Sequence, residues 1–129
     1  MNPELSRIVR ERAANRCEYC YLPQSSFPLP FQIDHIRAEK HGGETTEANL
    51  ALACPHCNRY KGPNIAGFDS ETGQIVRLFN PRTDGWEQHF AVDGPRLSGT
   101  TAIGRVTVAV LRMNSPDQLL VRNALSKEG

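Results

Sequence analysis

The four cysteines of this chain form two matched pairs, Cys17-Glu18-Tyr19-Cys20 and Cys54-Pro55-His56-Cys57, with none left over. The two-residue spacing lets both sulfurs of a knuckle point at one ion. Two knuckles supply four thiolates, which suits tetrahedral zinc. With every coordination position filled by sulfur, no place remains for water, so such a zinc is structural. Two disulfides or a thioredoxin-like redox motif are the other readings. Disulfides belong to exported chains, and the N-terminal "MNPELSRIVRERAANR" is charged and lacks the apolar stretch of a secretory signal. A redox motif wants one CxxC opening a helix after a strand, not two matched pairs. No run approaches the roughly 20 apolar residues of a spanning helix, so a cytoplasmic address is expected.

A chain of 129 residues, 39% hydrophobic with net charge +1, is expected to fold as one domain, residues 1–129, rather than stay disordered. Near-zero net charge does not exclude a nucleic-acid partner, because local distribution decides. Arg7, Arg10, Arg12 and Arg16 cluster early, and Arg59 and Lys61 follow the second cysteine pair. Most of these charges are expected to be ordinary solvated faces.

Residues 3–14 read as a helix that delivers Cys17 to the metal. Asn2 is a plausible cap, Pro3 suits the first position, and Leu5, Ile8, Val9 and Ala13 share a face. "YLPQSSFPLP", residues 21–30, holds three prolines and reads as a loop. "FQIDHI", residues 31–36, is a short strand candidate, "EKHGGETTEAN" a polar loop, and "NLALAC", residues 49–54, a second strand. A short helix after Cys54 is stopped by Gly62-Pro63. Further on, "QIVRLFNP" and "QHFAVDG" look like strands. "TAIGRVTVAVLRM" is either a helix capped by Thr100 or, given its valines, a strand. "SPDQLLVRNALSKEG" carries a capping-box signature, with Ser115 as cap, Pro116 at the first position and Gln118 three residues after the cap. Core packing is the first expectation for residues 64–129, an extension of unassigned role.

The stretch between the knuckles adds more. Asp34-His35-Ile36, then Gly42-Gly43, then Asn49-Leu50, then Cys54-Pro55-His56-Cys57-Asn58-Arg59-Tyr60-Lys61 resemble an HNH endonuclease, in the subgroup whose core is framed by two CxxC pairs. The likeness covers residues 17–62, somewhat over a third of the chain. It implies an α+β fold with a ββα-metal (His-Me finger) core and a four-cysteine zinc site. The strand-loop-strand-helix reading made from the residues agrees with that core. It also implies roles. His35 is the general base, and Asp34 and Asn58 hold a catalytic divalent ion. Asn49 ties the loop to the strand and helps orient the base. Arg59 and Lys61 touch phosphates of DNA, expected to be double-stranded.

The chemistry suits these residue types. An imidazole with an ordinary pKa of about 6.5 can take a proton from water near neutral pH. Asp34 and Asn58 offer oxygens, which hard Mg²⁺ or Mn²⁺ prefers. Adjacent strand residues point to opposite faces, so Asp34 and His35 can share a site only where the strand bends or ends. Two departures stand out. Ala38 occupies a place where many relatives have Pro. Gly62 stands where some branches have a second His, which argues against a three-histidine transition-metal site. Taken singly, Asp34 reads as a turn or cap residue, His35 as a surface histidine, and Asn49 and Asn58 as loop or cap residues. The joint pattern carries the inference. His41 and His56 read as surface residues, and His89 as structural near Trp86. The rival reading is a zinc-stabilised nucleic-acid-binding module without turnover. A dimer would let a nicking enzyme cut both strands, and the sequence favours neither oligomeric state.

Overall fold

The computed structural model describes residues 1–128. It is an α+β fold of five α-helices and three two-stranded antiparallel sheets, β1–β2, β3–β4 and β5–β6, among the described residues. Helix α1 runs Pro3–Arg12. Asn2 caps it, its Oδ1 accepting from the Glu4 amide at 2.8 Å, which satisfies one of the free N–H groups of the first turn. Val9 is buried, with Leu5 and Ala13 packed on the core beside it. Ala14 and Asn15 are left-handed, with φ of 54° and 53°. The helix therefore ends two residues before its expected boundary, and the chain turns into the first knuckle.

Strand β1 (Gln32–His35) pairs with β2 (Leu50–Ala53), Asp34 opposite Ala51 and His35 opposite Leu50. All four β2 residues are fully buried. The outer edge of β2 is covered by the first knuckle. There the Glu18 amide donates to Leu52 O at 2.8 Å, and the Leu52 amide donates to Glu18 Oε1 at 2.9 Å. Glu18 is held in turn by an ion pair with Arg82. Helix α2 (Pro55–Lys61) follows without a linker and stops at Gly62, whose φ is +50°.

The extension begins with a hairpin, β3 (Ala66–Asp69) and β4 (Gln74–Arg77), of which only β4 was expected. After α3 (Trp86–His89), strands β5 (Phe90–Asp93) and β6 (Arg96–Gly99) form the last hairpin. Residues 102–110 are helix α4 (Ala102–Val110), which settles the helix-or-strand ambiguity. Its cap is Thr101, whose hydroxyl accepts from the Gly104 amide at 3.1 Å. Thr100 instead turns its hydroxyl to Gln88 O at 3.0 Å. Helix α4 lies so close to its neighbours that a Cβ on Gly104 would sit 1.9 Å from His89 O.

Helix α5 spans Pro116–Glu128. The expected capping box is not made. Ser115 Oγ is buried without a partner among the described residues, and Gln118 turns inward toward the cysteines, where its Nε2 lies 3.8 Å from Cys54 Sγ. One apolar cluster joins Tyr19, Phe31, Leu50 and Leu52 to Phe79, Phe90, Val106, Leu111 and Met113 of the extension. Among the described residues, no helix is long and apolar enough to cross a membrane.

Candidate active site and metal centre

The sulfurs of Cys17, Cys20, Cys54 and Cys57 all lie within 4.8 Å of one another, and all four residues are buried. A tetrahedron with metal–sulfur bonds of about 2.3 Å has edges of about 3.8 Å. The Cys20 and Cys54 sulfurs are 3.8 Å apart, so the set fits zinc. Each knuckle turns an amide onto its own first sulfur, Cys20 N to Cys17 Sγ at 3.5 Å and Cys57 N to Cys54 Sγ at 3.3 Å. Hydrogen bonds from Cys17, Cys20 and Cys57 hold the Cys54 thiol far below its ordinary value. Burial pushes Cys20 up, and the bond to Cys17 does the same for Cys57. Four buried thiols this close cannot all ionise without a cation among them. Arg122 packs beside the cluster, its guanidinium donating to Pro95 O at 2.9 Å and Met113 O at 2.6 Å. Burial lowers its pKa, and the negative charge of the cysteines opposes that.

The second site lies where β1 ends. His35 is the last strand residue, and the loop after it lets neighbouring side chains converge. Asp34, His35 and Asn58 together line a shallow depression of about 240 Å³, with Ala38, Glu39 and Gly62 on its rim. His35 is half-buried, and its Nε2 lies 2.9 Å from Thr45 Oγ1. Asn58 gives its amide NH₂ to Gln32 Oε1, which keeps its carbonyl oxygen as the ligand atom it can offer.

Asn49 fastens the loop between the strands. Its Oδ1 accepts from the Arg37 amide at 2.9 Å, and its Nδ2 donates to Arg37 O at 3.0 Å and Glu44 O at 2.8 Å. Gly43 fits under this clamp because a Cβ there would stand 1.7 Å from Arg37 O.

Lys61 corrects one expectation. It is not placed to touch phosphate: it is 1% exposed. Its ammonium lies 3.1 Å from Asp34 Oδ2 and 3.4 Å from Oδ1, and donates to His35 O at 3.0 Å. Cys57 and Lys61 are four residues apart on α2 and so share its inward face. That spacing was the signal in the sequence, masked by the exposed Arg59 two residues earlier. Tyr19 Oη donates to Asp34 Oδ2 at 2.7 Å. Burial raises the Asp34 carboxyl above its ordinary value, while Lys61 and Tyr19 pull it back down. Asp34 is thus a buried, partnered carboxylate with one edge on the depression. Tyr19, Thr45 and Lys61 are contacts that motif reading missed. His56 bonds Arg112 O at 2.8 Å, and His89 Nδ1 meets Thr101 Oγ1 at 2.6 Å.

The chain thus carries a four-cysteine cluster able to hold a metal and, apart from it, a depression lined by Asp34, His35 and Asn58. Residues 17–64 match the family model described as HNH endonuclease. The chain is also similar to the Septu protein PtuB of Bacillus thuringiensis, at 26% identity over 120 residues covering 92% of this chain. It spans 44% of that protein's length. No solved structure matches the chain. The family match and this distant relative give the chain a nuclease-family context.

Proposed function

We propose that this chain is a metal-dependent endonuclease that hydrolyses DNA phosphodiester bonds. The observation that supports the reading best is the convergence of His35, Asp34 and Asn58 on one depression inside the matched segment. His35 is the general base. When its Nε2 carries the proton and donates it to Thr45, Nδ1 keeps the lone pair that accepts a proton from water. Thr45 therefore holds the ring plane, its hydroxyl accepting from Nε2 when that nitrogen carries the proton. Asn49 acts at one remove, by holding the loop that carries Thr45 against the end of β1.

Asp34 and Asn58 would hold a divalent ion. A carboxylate oxygen and an amide oxygen fit a hard cation such as Mg²⁺ or Mn²⁺, with water completing its shell. Bound there, it supplies charge stabilisation to the phosphate and the departing 3′-oxygen. Lys61 shares the Asp34 carboxylate, so the ion is expected to bind weakly. The products are 5′-phosphate and 3′-hydroxyl ends. Zinc on Cys17, Cys20, Cys54 and Cys57 is structural, and fixes β2 and α2 relative to the first knuckle.

A supercoiled-plasmid nicking assay tests the reading. Wild-type protein should nick in Mg²⁺ or Mn²⁺, and EDTA or His35→Ala should abolish nicking. DNA retained without cutting, with no effect of His35→Ala on retention, would assign the chain to a zinc-stabilised binding module instead.

A further inference from the structure

A groove of about 400 Å³ lies between α2 and the start of α5, lined in part by His56, Arg59, Tyr60, Arg112 and Asp117. Two guanidinium groups share one ring there. Arg112 Cζ is 4.8 Å and Arg59 Cζ 5.4 Å from the centre of Tyr60, both within cation–π range. The His56 ring packs on the same phenol, its centre 4.7 Å away. Both arginines are exposed, and among the described residues neither forms an ion pair. Arg7, Arg77, Arg82 and Arg105 all do. Asp117 lines the groove, so the local balance remains one positive charge in excess.

Arg112 stands just past the end of α4, where the chain turns out of the helix: the Met113 amide donates to Val108 O at 3.0 Å and the Arg112 amide to Ala109 O at 3.2 Å. Its φ is +49°, a region an L-residue with a long side chain seldom adopts. His56 Nε2 lies 2.8 Å from Arg112 O and ties this turn to α2. Fold stability alone would favour glycine at this place. An arginine there keeps its guanidinium over the Tyr60 ring, and among the described residues no acid lies within ion-pair distance of it.

We propose that this groove docks the phosphate backbone of duplex DNA, with Arg112 of the C-terminal extension and Arg59 of α2 contacting phosphates. The proposal rests on the nuclease reading above and names how its substrate is held. Asn58, on the depression, and Arg59, in the groove, are consecutive on one helix. Their side chains diverge by about 100° around the helix, so the groove lies round the side of α2 from the depression, within reach of a duplex laid across both. Guanidinium groups match phosphate oxygens in a planar fork that lysine lacks. The extension then belongs to the substrate interface as well as to the core.

The test is fluorescence anisotropy of a fluorescein-labelled DNA duplex with zinc-loaded full chain in EDTA-free buffer without Mg²⁺, titrated at several salt concentrations. Each phosphate contact contributes about 0.9 to the slope of log affinity against log salt. Arg112→Gly should lower that slope by about 0.9 and weaken binding roughly eightfold near 0.1 M salt. Glycine suits the backbone there, so the melting temperature should not fall. Arg59→Gln should act alike, Arg112→Lys should recover part of the loss, and Asp117→Asn should tighten binding. Unchanged affinity and slope in both Arg112→Gly and Arg59→Gln overturn the proposal, even if the wild type cuts DNA. Weaker binding in those variants by a wild type that never cuts supports the groove and sinks the nuclease reading. A wild type that does not retain the duplex overturns both.

Discussion

Replacing Lys61 by methionine tests the most consequential correction. The ammonium is 1% exposed and serves two acceptors, the Asp34 carboxylate at 3.1 Å and His35 O at 3.0 Å. A methionine side chain fills similar volume but leaves a buried carboxylate with Tyr19 Oη as its remaining donor. Removing one partner of a buried pair typically costs about 3–5 kcal/mol. At roughly 4 °C per kcal/mol for a chain of this size, the melting temperature should fall by roughly 10–20 °C at neutral pH. The penalty has a pH signature. Burial already raises Asp34, and without Lys61 it rises further. Below an unfolded value of about 3.9 the carboxyl is protonated in both states, and the charge part of the penalty is absent. As pH rises, the unfolded chain releases its proton first. Stability then drains until pH passes the raised folded value, and stays level above it. Asp34→Asn combined with Lys61→Met removes the orphaned charge and should recover most of the loss, to within about 2 kcal/mol. Thermal melts of wild type, the single Lys61→Met variant and the double variant from acid to neutral pH make the comparison. A Lys61→Met protein within about 0.5 kcal/mol of wild type at all pH values, yet with weaker DNA binding, would refute the burial and restore Lys61 as a surface phosphate contact.

Three further outcomes follow from the same contacts. Thr45→Val should cut plasmid nicking while leaving the stability within about 0.5 kcal/mol of wild type, because Thr45 is exposed and its hydroxyl serves the His35 ring; an unchanged nicking rate removes Thr45 from the mechanism. Gly43→Ala should destabilise by about 1–3 kcal/mol in denaturant melts, since its methyl would meet Arg37 O at 1.7 Å and spread the Asn49 clamp. Gln118→Leu should speed release of zinc to a colorimetric chelator, because its Nε2 lies 3.8 Å from Cys54 Sγ; partners beyond the ligands typically shift metal affinity about 10–100-fold.

The legible parts of the fold were those whose causes are local. Asn2 and Pro3 start α1, the CxxC spacing makes two knuckles, and Gly62-Pro63 ends α2, each within a few residues of its cause. The meeting of Asp34, His35 and Asn58 was legible because a strand end and a helix face are short-range features. What was not legible depends on distant partners. Thr100 looks as good a cap as Thr101 until Gln88 O takes its hydroxyl. Gln118 fits a capping box until the thiol cluster arrives beside it. Strand β3 has no alternation of its own, and forms because β4 pairs with it and α4 covers Gly67. Lys61 carried a helical-face signal, but lysine's general preference for water outweighed it.

The knuckle that covers the outer side of β2 has one more effect. Leu50–Ala53 is a short, wholly apolar strand, and its outer row of peptide groups is occupied, at Leu52 by Glu18 and at Leu50 O by Arg12 and Arg82, rather than left open. Strip the metal and that cover loses its anchor, while Leu-Ala-Leu-Ala keeps every property that lets molecules stitch together edge to edge. Chelated protein should therefore come out of solution as strand-paired assemblies instead of unfolding cleanly, so that a metal held by the four cysteines would guard against self-association as much as brace the site.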